Sequence, residues 1–181
     1  MIQIVLDVSA NTFKNDINYF ENMVKQIDAI DSNRYNIVFK TQLFSKDSEA
    51  AKVNKLLHPR IYEKMNLICE EYGYSLTSSV FDRESLIFLL QFIEYIPFIK
   101  IACRPDLYHL LSNIPDDIPV YVSVDCRESI PDITFKTLLT NKEIRLLKCI
   151  PEYPANTKEY IKNIFGDGAL IYANIVTILL I

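Results

Sequence analysis

Two lysines that stand inside short apolar runs are the residues of this sequence best placed to do chemistry. Lys40 closes one such run and Lys100 lies in the middle of another. A lysine is almost never fully buried without a partner or a task, because an unpaired ammonium group in apolar surroundings is costly. If both runs are strands, their alternation lets both side chains point into one interior. There the ammonium groups, with the hydroxyls of Ser79 and Ser123, would form a cationic floor for a phosphate or a carboxylate.

The same lysines also fit a purely structural role. Each could form an ion pair with Asp7 or Asp125, which would satisfy its charge without any ligand. The role of Asp7 is equally open, because its carboxylate could act as a general base or could hold a lysine in place. Residue types and spacing do not separate these alternatives, so both remain open at this stage.

The histidines and cysteines give weaker signals. His58, directly before Pro59, is typical of a helix start, and His109 falls in a short amphipathic segment. Neither has a second histidine or a carboxylate at ligand spacing, so the residues predict no metal site. Cys103 and Cys149 fall at predicted strand ends and could be reactive, although a small buried hydrophobe is the commoner use of a free cysteine. We expect structural roles for both histidines and both cysteines.

Composition and charge restrict the class of protein. With 181 residues, half of them hydrophobic, the chain can bury a real core as one domain or as a piece of a larger one. A net charge of -4, without an arginine stripe or a lysine run, argues against nucleic acid and membrane surfaces and favours small molecules or other proteins as partners. Four cysteines without a CxxC pair, and no leader segment, predict a reduced, cytoplasmic protein.

Short β-branched and aromatic runs alternate with longer helical patterns, which is typical of βα units around a parallel sheet. The predicted strands are 2–8, 36–40, 74–79, 98–102, 119–123 and 145–149. The predicted helices are 16–29, 59–72, 82–95, 106–112, 132–139 and 157–164. The sequence therefore predicts the α/β class, with six βα units.

Polar residues gather at the carboxyl ends of these strands, where parallel βα architectures place their chemistry. The residues at these positions are Asp7, Asn11, Lys40, Gln42, Ser79, Asp82, Lys100 and Ser123. We expect Asp7 to converge with the two lysines and two serines of the cationic floor on one mouth of the sheet.

Five segments at these strand ends resemble motifs of the sialic acid synthase family, the N-acetylneuraminate synthases. Residues 4–11, IVLDVSAN, resemble the opening I-A-E-I-G-x-N-H, and residues 38–42, VFKTQ, resemble V-K-F-Q. Residues 77–82, TSSVFD, resemble S-T-P-F-D, and residues 97–102, PFIKIA, resemble P-x-x-K-I-A-S. Residues 146–149, LLKC, with a tyrosine and a proline after them, resemble L-L-H-C-x-x-x-Y-P. The segments stand in the family's order.

The resemblance implies an incomplete TIM-type (β/α)₈ barrel of about six βα units over residues 1–167, truncated within the family's amino-terminal barrel domain. It implies a transferase reaction that condenses phosphoenolpyruvate with the aldehyde of an N-acetylated amino sugar. The product is a 2-keto sugar acid for surface polysaccharide. The family uses a divalent metal, manganese or magnesium, and its full-length members are expected to be homodimers swapped through a small antifreeze-like domain.

The resemblance also implies roles for particular residues. Asp7 stands at the family's catalytic glutamate and would lie on the side of the acceptor sugar. The residues implied to bind the phosphate and carboxylate of phosphoenolpyruvate are Lys40, Ser79, Lys100 and Ser123. The residues implied, more weakly, to contact the sugar are Asn11, Gln42 and Asp82.

The chain also departs from the family pattern. Ser9 replaces a glycine, Thr12 a histidine, Cys103 a serine, and Pro151 an asparagine that binds substrate in the family. The metal-binding motif S-D-H-T, a later histidine, strands seven and eight and the antifreeze-like domain have no counterpart. We therefore expect the tight metal site and the family's dimer mode to be lost, and the sheet edges to be exposed.

Residues 168–181 form an apolar tail that we interpret as the product of a reading-frame shift or of a gene broken at that point. The likeness to the family stops just before it, and its apolar run is unlike an ordinary domain end. For residues 174–178, NIVTI, the codons AAT ATA GTG ACC ATA read two bases later spell Tyr-Ser-Asp-His. That is the core of the metal motif.

Three functions of different kinds remain open from the sequence. The first is a sugar-acid synthase that uses phosphoenolpyruvate. The second is a non-catalytic remnant that keeps the anion site, which we prefer for this chain as it stands. The third is a phosphosugar aldolase barrel in which Lys40 or Lys100 forms a Schiff base.

Overall fold

The computed structural model describes residues 3–125, 127, 143–150 and 178–180. Its strands are β1 (Gln3–Asp7), β2 (Asn36–Leu43), β3 (Ser75–Val80), β4 (Ile99–Ile101), β5 (Val120–Asp125), β6 (Ile144–Cys149) and β7 (Ile178–Leu180). Its α-helices are α1 (Ala10–Phe13), α2 (Ile17–Ile30), α3 (Pro59–Glu71) and α4 (Arg83–Leu89). Turns of 3₁₀ helix cover Glu49–Lys52, Leu90–Phe92 and Pro105–Asn113. The predicted helices 132–139 and 157–164 lie outside the described residues.

The first six strands form one parallel sheet in chain order, from β1 to β6, curled into a half-barrel of the TIM type. Each strand pairs with the next one along the chain, because the connecting segment returns the chain to the starting edge of the sheet. The predicted α/β class, the parallel sheet and the incomplete (β/α)₈ barrel are thereby confirmed.

We expected exposed sheet edges, but the outer edge of β1 is paired with another strand. Strand β7, from the apolar tail, pairs antiparallel with β1 and sets Leu179 opposite Val5. The pairing gives partners to backbone groups that an open edge would leave unpaired. The rest of the tail, 168–177 and 181, lies outside the described residues.

Alternation along the buried strands sorts their side chains into two layers. Phe39 points outward into the large core between sheet and helices, whereas Val38 and Phe98 belong to a smaller cluster inside the half-barrel. Side chains two residues apart on a strand share a face. Lys40 therefore points inward with Val38, and Lys100 points inward with Phe98.

An aromatic stack fills the inner layer beneath the lysines. The rings of Phe98 and Tyr121 lie parallel within 10°, with centroids 4.3 Å apart. Arg145 lies over the Tyr121 ring at 5.5 Å and donates a hydrogen bond of 3.0 Å to its hydroxyl oxygen. Phe98 lies one inward position before Lys100, and Tyr121 lies one inward position before Ser123, so the stack belongs to the layer below these two residues.

Side-chain caps determine where the helices begin. Asp16 caps α2, His58 caps α3, and Asp82 with Ser85 forms the capping box of α4. Gly73 follows α3 with a φ of 74°, in the left-handed region that favours glycine. The predicted helix starts at residues 16, 59 and 82 lie within one residue of the observed starts.

Two predicted helices are wound differently from the expectation. The segment predicted as helix 106–112 is the 3₁₀ helix Pro105–Asn113, and the helix predicted over 82–95 is α-helical only to Leu89. The buried side chains of the first segment keep the amphipathic pattern that predicted a helix there; they are Leu107, Tyr108, Leu110 and Leu111. Within the described ranges, no helix is long and apolar enough to cross a membrane.

Candidate functional site

The inward side chains at the carboxyl ends of the strands meet at one mouth of the half-barrel. Strand register sets Asp7 beside Lys40 and Ser79 beside Lys100. Ser123 approaches from β5 and accepts a hydrogen bond from Lys100. These residues are the cationic floor expected from the sequence, Lys40, Ser79, Lys100 and Ser123, which we call the lysine floor from here on. The structure thus brings together the residues expected to converge, while their roles in binding stay predictions.

Lys40 is held by an ion pair across the first two strands. Its Nζ lies 2.7 Å from Oδ2 of Asp7 and donates to Oγ of Ser79 at 3.2 Å. The side chain of Lys40 is 3% exposed and that of Asp7 is 20% exposed. This contact is the structural alternative that the sequence left open. It also leaves part of the carboxylate accessible at the mouth, so a bound anion would share Lys40 with Asp7.

Lys100 is as fully buried as Lys40 and is bound by neutral oxygen atoms. Its Nζ donates to Oγ of Ser123 and to the carbonyl oxygen of Ile101, each at 2.7 Å. Burial, followed by the nearby charge of Lys40, lowers the pKa of Lys100 to about 7. Near neutral pH the amine is therefore present in both forms. The neutral form is a nucleophile, and the charged form can be recovered when an anion binds.

Asp125, the other carboxylate considered as a lysine partner, is bound elsewhere. Its Oδ2 lies 2.8 Å from Nη2 of Arg127, and this contact is mainly what holds the pKa of Asp125 below its ordinary value. The ion pair therefore places Asp125 at the rim of the mouth and outside the lysine floor.

Two thiols that the sequence places at strand ends, Cys103 and Cys149, lie near the same mouth. Each thiol acts on the other: Cys149 raises the pKa of Cys103, and Cys103, together with the charge of Lys100, lowers the pKa of Cys149. We expected both cysteines to be small buried hydrophobes. The available signal was their position at the ends of β4 and β6, since alternate strands of a barrel place side chains in one layer.

The three residues proposed to contact the sugar have different environments. Gln42 has the inward parity of Lys40 and lies beside Ser79 in register, so it faces the mouth. Asn11 instead binds the loop after β2: its Oδ1 accepts a hydrogen bond of 2.7 Å from the backbone N–H of Lys55. Asp82 is not at the lysine floor either, because it caps α4.

Asp82 is expected to contribute mainly to stability. Its Oδ1 accepts from the N–H of Ser85 and its Oδ2 from that of Ser45, each at 2.7 Å. Replacing Asp82 by alanine should lower the free energy of unfolding by about 1–2 kcal/mol in urea denaturation, because two backbone donors lose a charged acceptor. Asp82→Asn keeps one acceptor and should lose less. An unchanged unfolding midpoint in the alanine variant would contradict this assignment.

The described residues do not provide a fitting site for the divalent metal that the resemblance implies. Across 3–125, 127 and 143–150, no three histidine, cysteine or carboxylate side chains are grouped as a metal ion requires. His58 caps α3 through Nδ1, and Nδ1 of His109 lies 2.7 Å from the carbonyl oxygen of Asp106. We therefore derive no step through a metal.

Comparison with models of protein families and with curated proteins finds no match to this sequence. Solved structures, however, share its fold. A spore coat polysaccharide biosynthesis protein E from Chromobacterium violaceum superposes with a TM-score of 0.68 and 17% identity, over 96% of this chain and 58% of that one. The chain therefore spans less than two thirds of this relative.

Two further structures have the same architecture. An N-acetylneuraminic acid (sialic acid) synthetase from Leptospira borgpetersenii gives a TM-score of 0.58 at 18% identity, over 86% of this chain and 56% of that one. A truncated 3-deoxy-D-arabino-heptulosonate 7-phosphate synthase from Thermotoga maritima gives 0.57 at 13% identity, over 84% and 54%. At these identities the similarity shows a common fold and nothing finer.

Proposed function

We propose that this chain is an N-acetylneuraminate synthase-like protein whose half-barrel binds phosphoenolpyruvate. The ligand would be condensed with the aldehyde of an N-acetylated amino sugar to give a 2-keto sugar acid for surface carbohydrate. The observation that carries the proposal is the lysine floor, where two buried amines each donate a hydrogen bond to a serine hydroxyl. The motif resemblance and the fold shared with a sialic acid synthetase support this choice of ligand.

The lysine floor matches the charge distribution of phosphoenolpyruvate. This ligand carries a phosphate and a carboxylate. The lysine floor has two amines, one on β2 and one on β4 of the same sheet. Lys100 with Ser123 would bind one anionic group, and Lys40 with Ser79 the other, through charge-assisted hydrogen bonds. Burial strengthens such bonds, because little water competes for the donors.

Asp7 is the residue we place on the acceptor side of the reaction. In the condensation, C3 of phosphoenolpyruvate forms a bond with the aldehyde carbon, water adds at C2, and inorganic phosphate leaves. The partly exposed carboxylate of Asp7 lies beside Lys40, where it can accept the proton of that water and pass it to the aldehyde oxygen, which becomes the new hydroxyl. Its ion pair also fixes the position of Lys40.

Thermal unfolding tests the binding step. At about 100 times its dissociation constant, phosphoenolpyruvate should raise the melting temperature by about 5–10 °C. Sulfate and pyruvate, at matched ionic strength, each carry only part of the ligand and should give smaller shifts. Equal shifts with all three anions would defeat the proposal. Phosphate release in the presence of an N-acetylhexosamine and manganese would separate a synthase from a protein that only binds the ligand.

A second candidate function rests on the lowered pKa of Lys100. A neutral amine can add to a substrate carbonyl and lose water to form a Schiff base, as in an aldolase that acts on phosphosugars. In that case borohydride would reduce the imine and leave a stable adduct on Lys100. Under the first proposal, borohydride leaves Lys100 unmodified while phosphoenolpyruvate still raises the melting temperature.

A further inference from the structure

A buried tyrosine contacts the lysine floor without belonging to it. Tyr108 lies in the 3₁₀ helix Pro105–Asn113, which follows β4 along the chain. Its hydroxyl donates a hydrogen bond of 3.1 Å to the backbone carbonyl oxygen of Ser123. Neither the binding of an anion by the floor nor the proton transfer by Asp7 gives this bond a role.

The hydrogen bond lies where the backbone pairing of two strands stops. The ladder between β4 and β5 ends at Ile101 and Val122, one residue before Ser123. The Tyr108 hydroxyl therefore holds the backbone of β5 from the segment that continues β4, just past the last pair of the ladder. A buried carbonyl group that loses a donor is costly, so this contact constrains the end of the strand.

The large core fixes the position of the Tyr108 ring. Tyr108 is buried in that core together with three leucines of the same 3₁₀ helix, Leu107, Leu110 and Leu111. A side chain packed on this scale has little freedom to move, so its hydroxyl is presented at a defined point.

The residue that Tyr108 holds is the one that binds Lys100. Oγ of Ser123 accepts a hydrogen bond of 2.7 Å from Nζ of Lys100, and both residues are buried. A shift of the Ser123 backbone would carry Oγ away from the ammonium group, and little water is present to replace it.

We propose that Tyr108 is a positioning residue of the lysine floor, whose hydroxyl holds the end of β5 so that Ser123 presents Oγ to Lys100 and to the anionic group bound there. The inference rests on the proposed function for the identity of that anionic group. The contact between Ser123 and Lys100 is present without any ligand, so its dependence on Tyr108 can be measured separately.

Tyr108→Phe tests the proposal because it keeps the ring in the core and removes only the hydroxyl. Calorimetric titration should find that the dissociation constant of phosphoenolpyruvate rises by about three- to tenfold. Tyr62→Phe is the matched control, since the Tyr62 hydroxyl is buried and has no hydrogen-bond partner among the residues that the structure describes. Its removal should leave the affinity unchanged. Equal affinities of Tyr108→Phe and the unmodified protein, or equal losses in both variants, would overturn the proposal.

A double-mutant cycle with Ser123→Ala separates positioning from a general structural effect. If Tyr108 acts through the Ser123 hydroxyl, Tyr108→Phe should weaken binding much less in the Ser123→Ala background than in the unmodified protein. A tyrosine that only stabilises the fold would weaken binding by the same factor in both backgrounds, which would refute the positioning role.

The titration of Lys100 in the ligand-free chain keeps the test independent of phosphoenolpyruvate. In protein labelled with ¹³C-lysine, the ε-carbon signal reports the charge of each amine, and Lys100→Met identifies the signal of Lys100. A displaced Ser123 is a poorer acceptor for the ammonium form. Tyr108→Phe should therefore lower the midpoint of the Lys100 titration by about half a pH unit.

The other titratable groups that act on Lys100 are Lys40, Asp7, Cys103 and Cys149, and Tyr108→Phe replaces none of them. An unchanged midpoint would show that Tyr108 does not position Ser123. A raised midpoint would show that the tyrosine acts by excluding water, and it would also overturn the proposal. A lowered midpoint in a chain that does not bind phosphoenolpyruvate would support the positioning role and contradict only the proposed function.

Discussion

Replacing Lys100 by methionine should abolish phosphoenolpyruvate binding and yet raise the free energy of unfolding by about 2–4 kcal/mol at pH 7. The gain follows from the pKa of Lys100, which falls from 10.5 to about 7 on folding. Unfolding therefore takes up a proton near neutral pH, and this uptake favours the unfolded chain. Methionine fills a similar volume without a charge, so the variant avoids this penalty.

The sign of the effect can be checked by pH. Because the native pKa of Lys100 is depressed, its penalty is largest below pH 7 and is relieved as pH rises from about 7 towards 10.5. The stability of the unmodified protein should therefore rise over that range relative to Lys100→Met. Urea denaturation at several pH values measures the difference directly.

Lys40→Met is the matched control, and its effect should have the opposite sign. Lys40 forms an ion pair with Asp7 at 2.7 Å, so its loss leaves a largely buried carboxylate without its partner. We expect the free energy of unfolding to fall by about 1–3 kcal/mol. Equal destabilisation by both substitutions would mean that Lys100 serves stability in the same way as Lys40. Undiminished ligand binding by Lys100→Met would remove this residue from the site.

The orientation of the two lysines could be predicted from the sequence because it depends on a local rule. Buried parallel strands alternate strictly, so a polar residue inside an apolar run has a defined face once the strand is recognised. Asp82 shows the limit of the same reasoning. Asp82 follows a strand, which is typical of a binding residue, and it precedes a helix, which is typical of an N-cap. Only the coordinates show that both carboxylate oxygens accept backbone N–H groups.

Features that depend on distant pairing could not be predicted in this way. Strand β7 covers β1 although more than 170 residues separate them in sequence, and no local pattern specifies that partner. The mutual effect of Cys103 and Cys149 on their pKa values depends on how closely the ends of β4 and β6 approach across β5, which strand positions alone do not define. The choice between Asp7 and Asp125 as the ion-pair partner of Lys40 also depends on strand register. Only the register shows which carboxylate lies beside the lysine.

The affinity for phosphoenolpyruvate should fall as pH rises above 7, approaching tenfold per pH unit between about pH 7.5 and 9. In the free protein, Lys100 loses its proton with a pKa of about 7. A bound anion favours the charged amine and therefore raises that pKa. Binding above pH 7 must then take up a proton, and each further unit of pH makes this uptake less favourable.

Calorimetry separates this linkage from ionisation of the ligand. The phosphate group itself titrates near pH 6, so its charge is nearly constant above about pH 7.5. Titrations in two buffers with different ionisation enthalpies should give an uptake that approaches one proton per ligand near pH 9. The Lys100 pKa is the cause of this uptake, so the pH dependence should survive a neutral change elsewhere in the lysine floor, whereas removal of the Lys40 charge would itself raise the Lys100 pKa.

Ser79→Ala provides the matched control for the pH dependence. Ser79 accepts a hydrogen bond from Lys40, at the other half of the floor, so its loss should weaken binding by a similar factor at every pH. The slope of affinity against pH should remain that of the unmodified protein. An affinity that stays constant between about pH 7.5 and 9, or proton release on binding, would show that Lys100 does not bind the ligand as an ammonium group.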